Sequence, residues 1–505
     1  MKRILIAGAL AAATLGLAAG GASAQTTLRI GLAEDPDVLD PSLGRTYVGR
    51  IVFASLCDKL FDVDADLNIV PQLALSHEVS EDGKALTITL RDGVLFHDGT
   101  PMDAAAVKYS LDRHRTMDGS FRRGELSIVE SVDVVDPLTV RLNLKSPFAP
   151  LLATLTDRSG MIVSPTAAEA AGDQFGNNPV CAGPFQFVER VQQDRIVAEK
   201  FADYWNADEV FIDRIEYRPI PDSTVRLANL QSGQLDLIER ALATDIPTIR
   251  ADEDLELEVV TELGYQGMTI NVANGEGAKG PLAESALVRQ ALDLAIDREA
   301  LNQVVFNGEF FPGNQWVNPQ NQWYQDAYPA PARDVEKAKA LIAEAGVATP
   351  IVVDYMVPNN PEVRQVAEVI QAMAAEAGFD MQIRVVEFAT GLQEAEAGRF
   401  GAFMLAWSGR PDPDGNIYSF AHSTGPLNYG KYASETVDAA LTEARTATTF
   451  DARKAAYETV ADLWLTEGSV LYLYHRAMLI AHTDDLEGYV QLPDGLVRVV
   501  GVKLN

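Results

Sequence analysis

Apolar positions recur along this chain with two spacings, every second residue or about every 3.6 residues, and the switches between them mark out its elements. Thr27 to Gly31 (TLRIG) predicts a first strand, and Val48 to Phe61 a helix with Ile51, Val52, Ser55, Leu56 and Leu60 along one side. Ala85 to Arg91 alternates as a strand, Ala104 to Arg115 is a helix entered from Thr100-Pro101, and Val132 to Leu144 holds two strands around the turn Asp136-Pro137. Phe185 to Val191 and Arg195 to Glu199 read as a hairpin, Ile212 to Pro219 as a strand, Ser223 to Gly233 as a helix and Asp236 to Glu239 as a short strand. From Gly264 the chain runs through an apolar strand into a glycine-rich crossing, Asn274 to Gly280, which predicts a domain boundary.

Beyond that boundary helices and strands alternate. Ala286 to Phe306 reads as one long amphipathic helix. Asp334 to Ala345 and Glu362 to Ala377 are helices ended by Gly346 and Gly378. Ile351 to Met356, Met381 to Glu387 and Phe403 to Trp407 are strands between and after them, and the βα order predicts an α/β domain with a mainly parallel sheet. Near Leu479 the pattern turns strand-like again, as expected of a chain returning to its first domain.

The first residues do not fit this scheme. Lys2 and Arg3 precede an apolar and small-residue run from Ile4 to about Ala19, and Ala22-Ser23-Ala24 supplies the small residues that signal peptidase needs. That order predicts a secretory signal cleaved near Ala24 and a periplasmic protein; the run is too short and too rich in Ala and Gly for a good membrane anchor. The first cysteine is Cys57, so no Cys stands at the cleavage point and a lipoprotein is not expected. Roughly 480 remaining residues call for two or three domains. The formal net charge of -31 argues against nucleic acid and anionic lipid as partners, both of which attract cationic patches.

Cys57 and Cys181 are the two cysteines, and in an oxidising compartment they form either a disulfide or two separately buried thiols. Six histidines are scattered without metal-ligand spacing, so no bare metal site and no cofactor are expected. No G-x-S-x-G elbow and no H-E-x-x-H motif is present, and nothing in the sequence points to an enzyme.

One dense stretch identifies a relationship. Between Leu56 and Arg113 the chain carries Pro71-Gln72-Leu73-Ala74, Ser80-Glu81-Asp82-Gly83, Leu90-Arg91-Asp92-Gly93-Val94 and Phe96-His97-Asp98-Gly99-Thr100-Pro101 in order. Gly183-Pro184-Phe185, Asp203-Tyr204-Trp205, Val288 to Leu292, Ala295 to Arg298 and Trp407 to Gly415 (WSGRPDPDG) extend the match along the chain. The sequence thereby resembles solute-binding protein family 5, the bacterial peptide, dipeptide, glutathione and nickel-chelate receptors. The resemblance implies an α/β, two-lobed periplasmic-binding-protein clamp (type II-like) with an extra α+β subdomain inserted in the first lobe. It places lobe I at 25–61, 180–270 and 482–505, the insert at 62–179 and lobe II at 271–481, after a signal peptide at 1–24. A hinge of crossing strands lets the lobes close on a solute. The partners implied are a peptide-like solute and an ABC permease with its ATPase at the inner membrane, the receptor itself acting as a monomer. A modified or anionic solute (opine-like, sugar-derived or a metal chelate) and a sensory receptor using the same clamp are the alternatives.

Most of these motifs have a structural role. Asp98-Gly99 makes a tight turn and Thr100-Pro101 starts a helix, so His97 is expected to be a hydrogen-bonded turn histidine before a base or ligand. The expected cleft residues lie elsewhere: Arg45 and Tyr47 after the first strand, Tyr265 near the crossing, Trp316 in the polar loop from Phe311 to Pro329, and Trp407, Arg410 and Asp412 in the WSGRPDPDG loop. For Arg45 the bland reading is a solvated loop, and for Tyr265 it is hinge packing. In dipeptide-type receptors an aspartate that pairs with the ligand's amino group stands three residues after the tryptophan. Here Arg410 takes that place, and its forked donors suit an anionic group. Asp412 either replaces the missing acid or caps the turn around Pro413.

Overall fold

The alternating stretches assemble into three main β-sheets in a computed structural model that describes residues 25–505. The export segment expected at residues 1–24 lies outside the described residues. A seven-stranded sheet has the spatial order Leu255–Thr261, Ala477–Thr483, Leu237–Ile238, Thr27–Leu32, Arg214–Pro219, Arg195–Lys200 and Phe185–Val191. Thr27–Leu32 lies parallel to both its neighbours, and the outer strands are antiparallel, including the expected hairpin. Its apolar face is covered by the helix Tyr47–Leu56, whose Val48, Ile51, Val52 and Leu56 join Leu28, Ile30 and Tyr217 in one core. Thr46 starts that helix by accepting the Gly49 N–H through its side chain, and Cys57 ends it.

A four-stranded antiparallel sheet, Ala74–Val79, Ala85–Leu90, Thr139–Leu144 and Val129–Asp136, forms the insert. The helix Ala104–Thr116 packs on one face, burying Val107 and Leu111 against Ile88, Val132 and Leu142. Cys57 and Cys181 are joined in a disulfide that closes a loop of 124 residues around this insert.

The second lobe is built on a six-stranded mixed sheet in the order Phe311–Pro312, Val470–His475, Tyr265–Ile270, Ala402–Trp407, Ile351–Pro358 and Phe379–Val386. Ile351–Pro358 and Phe379–Val386 are parallel, with the helix Pro361–Ala377 crossing between them. The stretch expected as one long helix is divided into Ala286–Ala295 and Arg298–Phe306. Asp297 breaks it by accepting the Ala300 N–H and capping the second helix, so a continuous apolar pattern conceals a bend.

Two paired strands run from one sheet into the other. Leu255–Thr261 pairs with Ala477–Thr483 in the first lobe, and Tyr265–Ile270 pairs with Val470–His475 in the second. The chain therefore crosses at 262–264 and at Arg476, where the Glu262 N–H donates to the Arg476 carbonyl at 3.0 Å. The expected boundaries at 270 and 481 each put one strand in the wrong lobe. Apolar alternation continues through both crossings, and only the small Gly264 marks the switch.

Candidate functional site

The helix Tyr47–Leu56 carries Arg50 on its buried side, 4% exposed, and a tight turn at Asp157–Gly160 brings Asp157, Arg158 and Ser159 beside it. Arg50 Nε lies 3.3 Å from Asp157 Oδ1 and 3.2 Å from Oδ2. Asp157 Oδ1 also accepts the backbone N–H of Arg158 at 2.7 Å, which fixes the turn. Arg122 and Glu125, in the loop beyond the insert's helix, complete the group. Arg122 Nη1 donates to Glu125 Oε1 at 2.6 Å, and Ser159 Oγ donates to Glu125 Oε2. Arg122 and Arg158 both reach the Gly44 carbonyl, at 3.5 and 2.8 Å, and so hold the loop after the first strand.

From the opposite lobe comes Arg410, with Nε 3.4 Å from Asp157 Oδ2. Its own loop is tightly fixed. Asn416 Oδ1 accepts from Trp407 Nε1 at 3.0 Å and from the Arg410 N–H at 2.7 Å, and the Arg410 guanidinium stands 4.8 Å from the Trp407 ring. Gly409 adopts a φ of +76°, and a Cβ there would lie 2.2 Å from the Leu263 carbonyl carbon. A Cβ on Gly264 would in turn lie 1.9 Å from the Trp407 carbonyl oxygen. These glycines let the loop press directly on the crossing strands, so its position is coupled to the hinge. The lobes also touch at the insert, where the Ala149 N–H donates to the Arg445 carbonyl at 2.8 Å.

Charge inside this junction is unequal. Four guanidinium groups, from Arg50, Arg122, Arg158 and Arg410, surround the two carboxylates of Asp157 and Glu125. Burial opposes ionisation of Asp157, yet Arg50, Arg158 and Arg410 hold its carboxyl well below the usual range. Glu125 is likewise held down against burial by Arg122 and Arg410. Burial first, and repulsion from Arg122 next, push the Arg158 guanidinium down to about 9, as expected where cations outnumber anions.

The residues expected from sequence are only partly brought together. Trp407 and Arg410 stand at the junction. Tyr47 lies beside it, its O–H donating to the Gly495 carbonyl at 2.6 Å and its ring 4.8 Å from the Arg240 guanidinium. Arg45 points away: its side chain is 65% exposed, 3.6 Å from Asp37 and over the Phe121 ring. Asp412 does not stand in for a ligand-binding acid. Arg453 donates to both its oxygens at 2.7 and 2.8 Å, and Oδ1 also accepts the Asp414 N–H, so it anchors the turn. Trp316 is fully buried against Tyr457 inside the second lobe, and Trp323 stacks on Phe450, so neither caps the cleft. The loop holding them looks polar, but Asn314, Gln315, Asn318 and Gln325 spend their polarity on backbone groups within it.

Tyr265 packs edge-on to Tyr472 and Phe420 at the hinge, buried. His97 Nε2 lies 3.0 Å from the Gly183 carbonyl oxygen, and burial lowers its pKa to about 4, which fits the turn role. Arg50, Arg122, Glu125, Asp157 and Arg158 escaped the sequence reading. The available signal was charge in apolar company: Arg50 interrupts the stripe Val48, Ile51, Val52, and Asp157-Arg158 stands directly before the apolar Met161-Ile162-Val163.

Comparisons with known proteins agree with this architecture. The family described as bacterial extracellular solute-binding proteins, family 5 (middle), matches residues 68–428. A glutathione-binding protein of Pectobacterium atrosepticum is 29% identical over 472 residues, covering 91% of this chain and 90% of the relative. The crystal structure of a dipeptide-binding protein from Pseudoalteromonas sp. SM9913 in complex with Met-Leu has a TM-score of 0.84 at 23% identity, covering 95% of this chain and 100% of that one. The binding protein AgaA from A. tumefaciens R10, in complex with agropinic acid, has a TM-score of 0.83 at 27% identity, covering 95% of this chain and 99% of that one. With its two-lobed fold and a family match over most of its length, the chain belongs to family 5 of the bacterial extracellular solute-binding proteins.

Proposed function

We propose that this protein is the exported solute-capturing component of an ABC importer, taking up a peptide-like solute between its lobes and delivering it to the membrane permease. The observation that carries the reading is the polar junction between lobes that are linked by two crossing strands, with Arg410 meeting Asp157 across the gap. Such a hinge converts binding energy into a change of shape, and the closed shape is what a permease can recognise. Kinship supports the cargo class, since the relatives include a glutathione-binding protein and a dipeptide-binding protein. The basic start and apolar run at residues 1–24 support export to the periplasm as a free monomer. No helix among the described residues is long and apolar enough to cross a membrane.

A binder rather than a catalyst fits the histidines. His97, His114 and His475 each face a backbone carbonyl, and burial lowers all three to about 4. A second cargo class, an opine-like carboxylic compound, is favoured by the relative bound to agropinic acid and by Arg410 in place of an amine-pairing aspartate.

The test is mass spectrometry of the protein isolated from the periplasm under native conditions, followed by identification of the released solute. A di- or tripeptide, or a peptide conjugate such as glutathione, is expected in a one-to-one complex. Recovery of a compound with no amide bond would remove the peptide reading and leave the opine-like one.

A further inference from the structure

The arginines at the lobe junction are more numerous than their partners within the protein require. On the first lobe Arg50, Arg122 and Arg158 are 4%, 4% and 3% exposed, a degree of burial that charged groups reach only when paired. Yet Arg50 Nη1, Arg122 Nε and Arg158 Nε are buried without a hydrogen-bond acceptor. Asp157 Oδ2 makes ion-pair contacts with Arg50 and Arg410 at 3.2 and 3.4 Å but also lacks a hydrogen bond. The neighbouring charges give no relief. Asp494 and Asp62 are already engaged by Arg498, and Lys59 pairs with Asp62.

We infer that Arg50, Arg122 and Arg158 of the first lobe, completed by Arg410 of the second, form a subsite for a carboxylate of the solute. The inference rests on the reading of the junction as the solute site and goes further by naming what the solute must carry. Donor chemistry supports it: the unpartnered atoms are N–H groups of planar guanidiniums, which match a carboxylate in geometry and charge. An ammonium group placed here would meet a surplus of positive charge with Asp157 already claimed by two arginines.

The same imbalance gives the subsite a role in closure. With the lobes apart, Arg50, Arg122 and Arg158 share the first-lobe face with Asp157 and Glu125. Closing adds the cation of Arg410 to a face that already carries net positive charge. A carboxylate bound there offsets that repulsion, so the anionic solute favours the closed form beyond what its contacts with the first lobe supply. A neutral analogue binds the open face without this gain.

Calorimetry on the full mature chain, stripped of bound solute by unfolding and refolding, tests the assignment. The probes are glutathione, a set of di- and tripeptides as free acids, their C-terminal amides, and glutarate. Free acids are expected to bind roughly 10 to 100 times more tightly than the matching amides, the range for a charged hydrogen bond in a buried site. Arg50→Gln and Arg410→Gln should each erase that difference, while Arg384→Gln, on the far side of the second lobe, should keep it. Thermal melting of each variant confirms folding before binding is read. Amides that bind as tightly as acids would overturn the carboxylate subsite and leave the peptide reading standing. Binding of glutarate with no peptide of either form would do the reverse. A folded protein that binds none of the carboxylate-bearing probes would overturn the subsite.

Discussion

Asp157 Oδ2 and Arg410 Nε face one another across the two lobes at 3.4 Å, and the two residues are not equivalent in what they stabilise. Asp157 is the counter-ion of Arg50, Arg158 and Arg410 together, whereas Arg410 is one cation among several. Asp157→Asn should therefore leave buried guanidiniums uncompensated and cost about 3–5 kcal/mol. Arg410→Gln relieves repulsion while losing one ion pair, so its cost should stay below about 1 kcal/mol. Thermal denaturation of both variants without added solute checks the contrast, and equal losses would refute it.

Closing the loop between Cys57 and Cys181 restricts the unfolded chain over 124 residues. In the chain-entropy view this contributes about 4–5 kcal/mol, and even half of that is a large part of a domain's stability. The double variant Cys57→Ser/Cys181→Ser should melt clearly below the parent, and dithiothreitol should bring the parent toward it. The same reductant should leave the double variant unchanged.

The fold was legible where pattern and packing agree. The strand Thr27–Leu32 and the helix Pro361–Ala377 follow directly from alternation and from one apolar stripe ended by Gly378. The lobe boundary was not legible to within a strand, because Tyr265–Ile270 is equally apolar whichever sheet it joins. Arg410 was found from its place in the WSGRPDPDG loop, but its meaning depends on residues more than 250 positions away, Asp157 among them. Arg50 was hidden by sitting within an apolar helix face, where a charge reads as an irregularity. Trp316 misled in the other direction. A polar loop was taken as exposed, although its amides satisfy the backbone internally and bury the indole.

Two glycines with nearly the same backbone angle should respond differently to substitution. Gly93 has a φ of +75° and open space where a Cβ would go; Gly409 has a φ of +76° and the Leu263 backbone 2.2 Å away. Gly93→Ala should cost only the conformational term, about 1–2 kcal/mol. Gly409→Ala carries that term and must also displace either its loop or the crossing strand, so a clearly larger loss is expected. Hydrogen exchange should show the extra disturbance at residues 262–266 as well as 407–411. Exchange confined to 407–411 would mean that the loop is not braced on the hinge.

At that hinge Glu262 is the group whose titration should be visible in stability. It is 8% exposed, with Oε1 buried and unpartnered, and it faces Arg476, Arg240 and Glu362. Burial pushes its carboxyl up to about 7, with Arg476 and Arg240 opposing the rise and Glu362 adding to it. A raised carboxyl pKa means that the folded state holds the proton more tightly than the unfolded chain, where a glutamate titrates near 4.3. The native state is therefore favoured in full below about pH 4.3, and that contribution is lost as pH rises through about 7. Asp58, raised to about 7 by burial despite donors from Trp205 and Tyr204, acts in the same window, so the parent's pH profile alone does not isolate Glu262. The difference between the parent and Glu262→Gln does. The amide keeps the shape and never ionises, so the variant should gain on the parent between about pH 5 and 8. The gain should level off near 3 kcal/mol, the full value of the shift. A difference that stays flat from pH 5 to 8 would show that water reaches the crossing strands and that Glu262 ionises there as it does in solution.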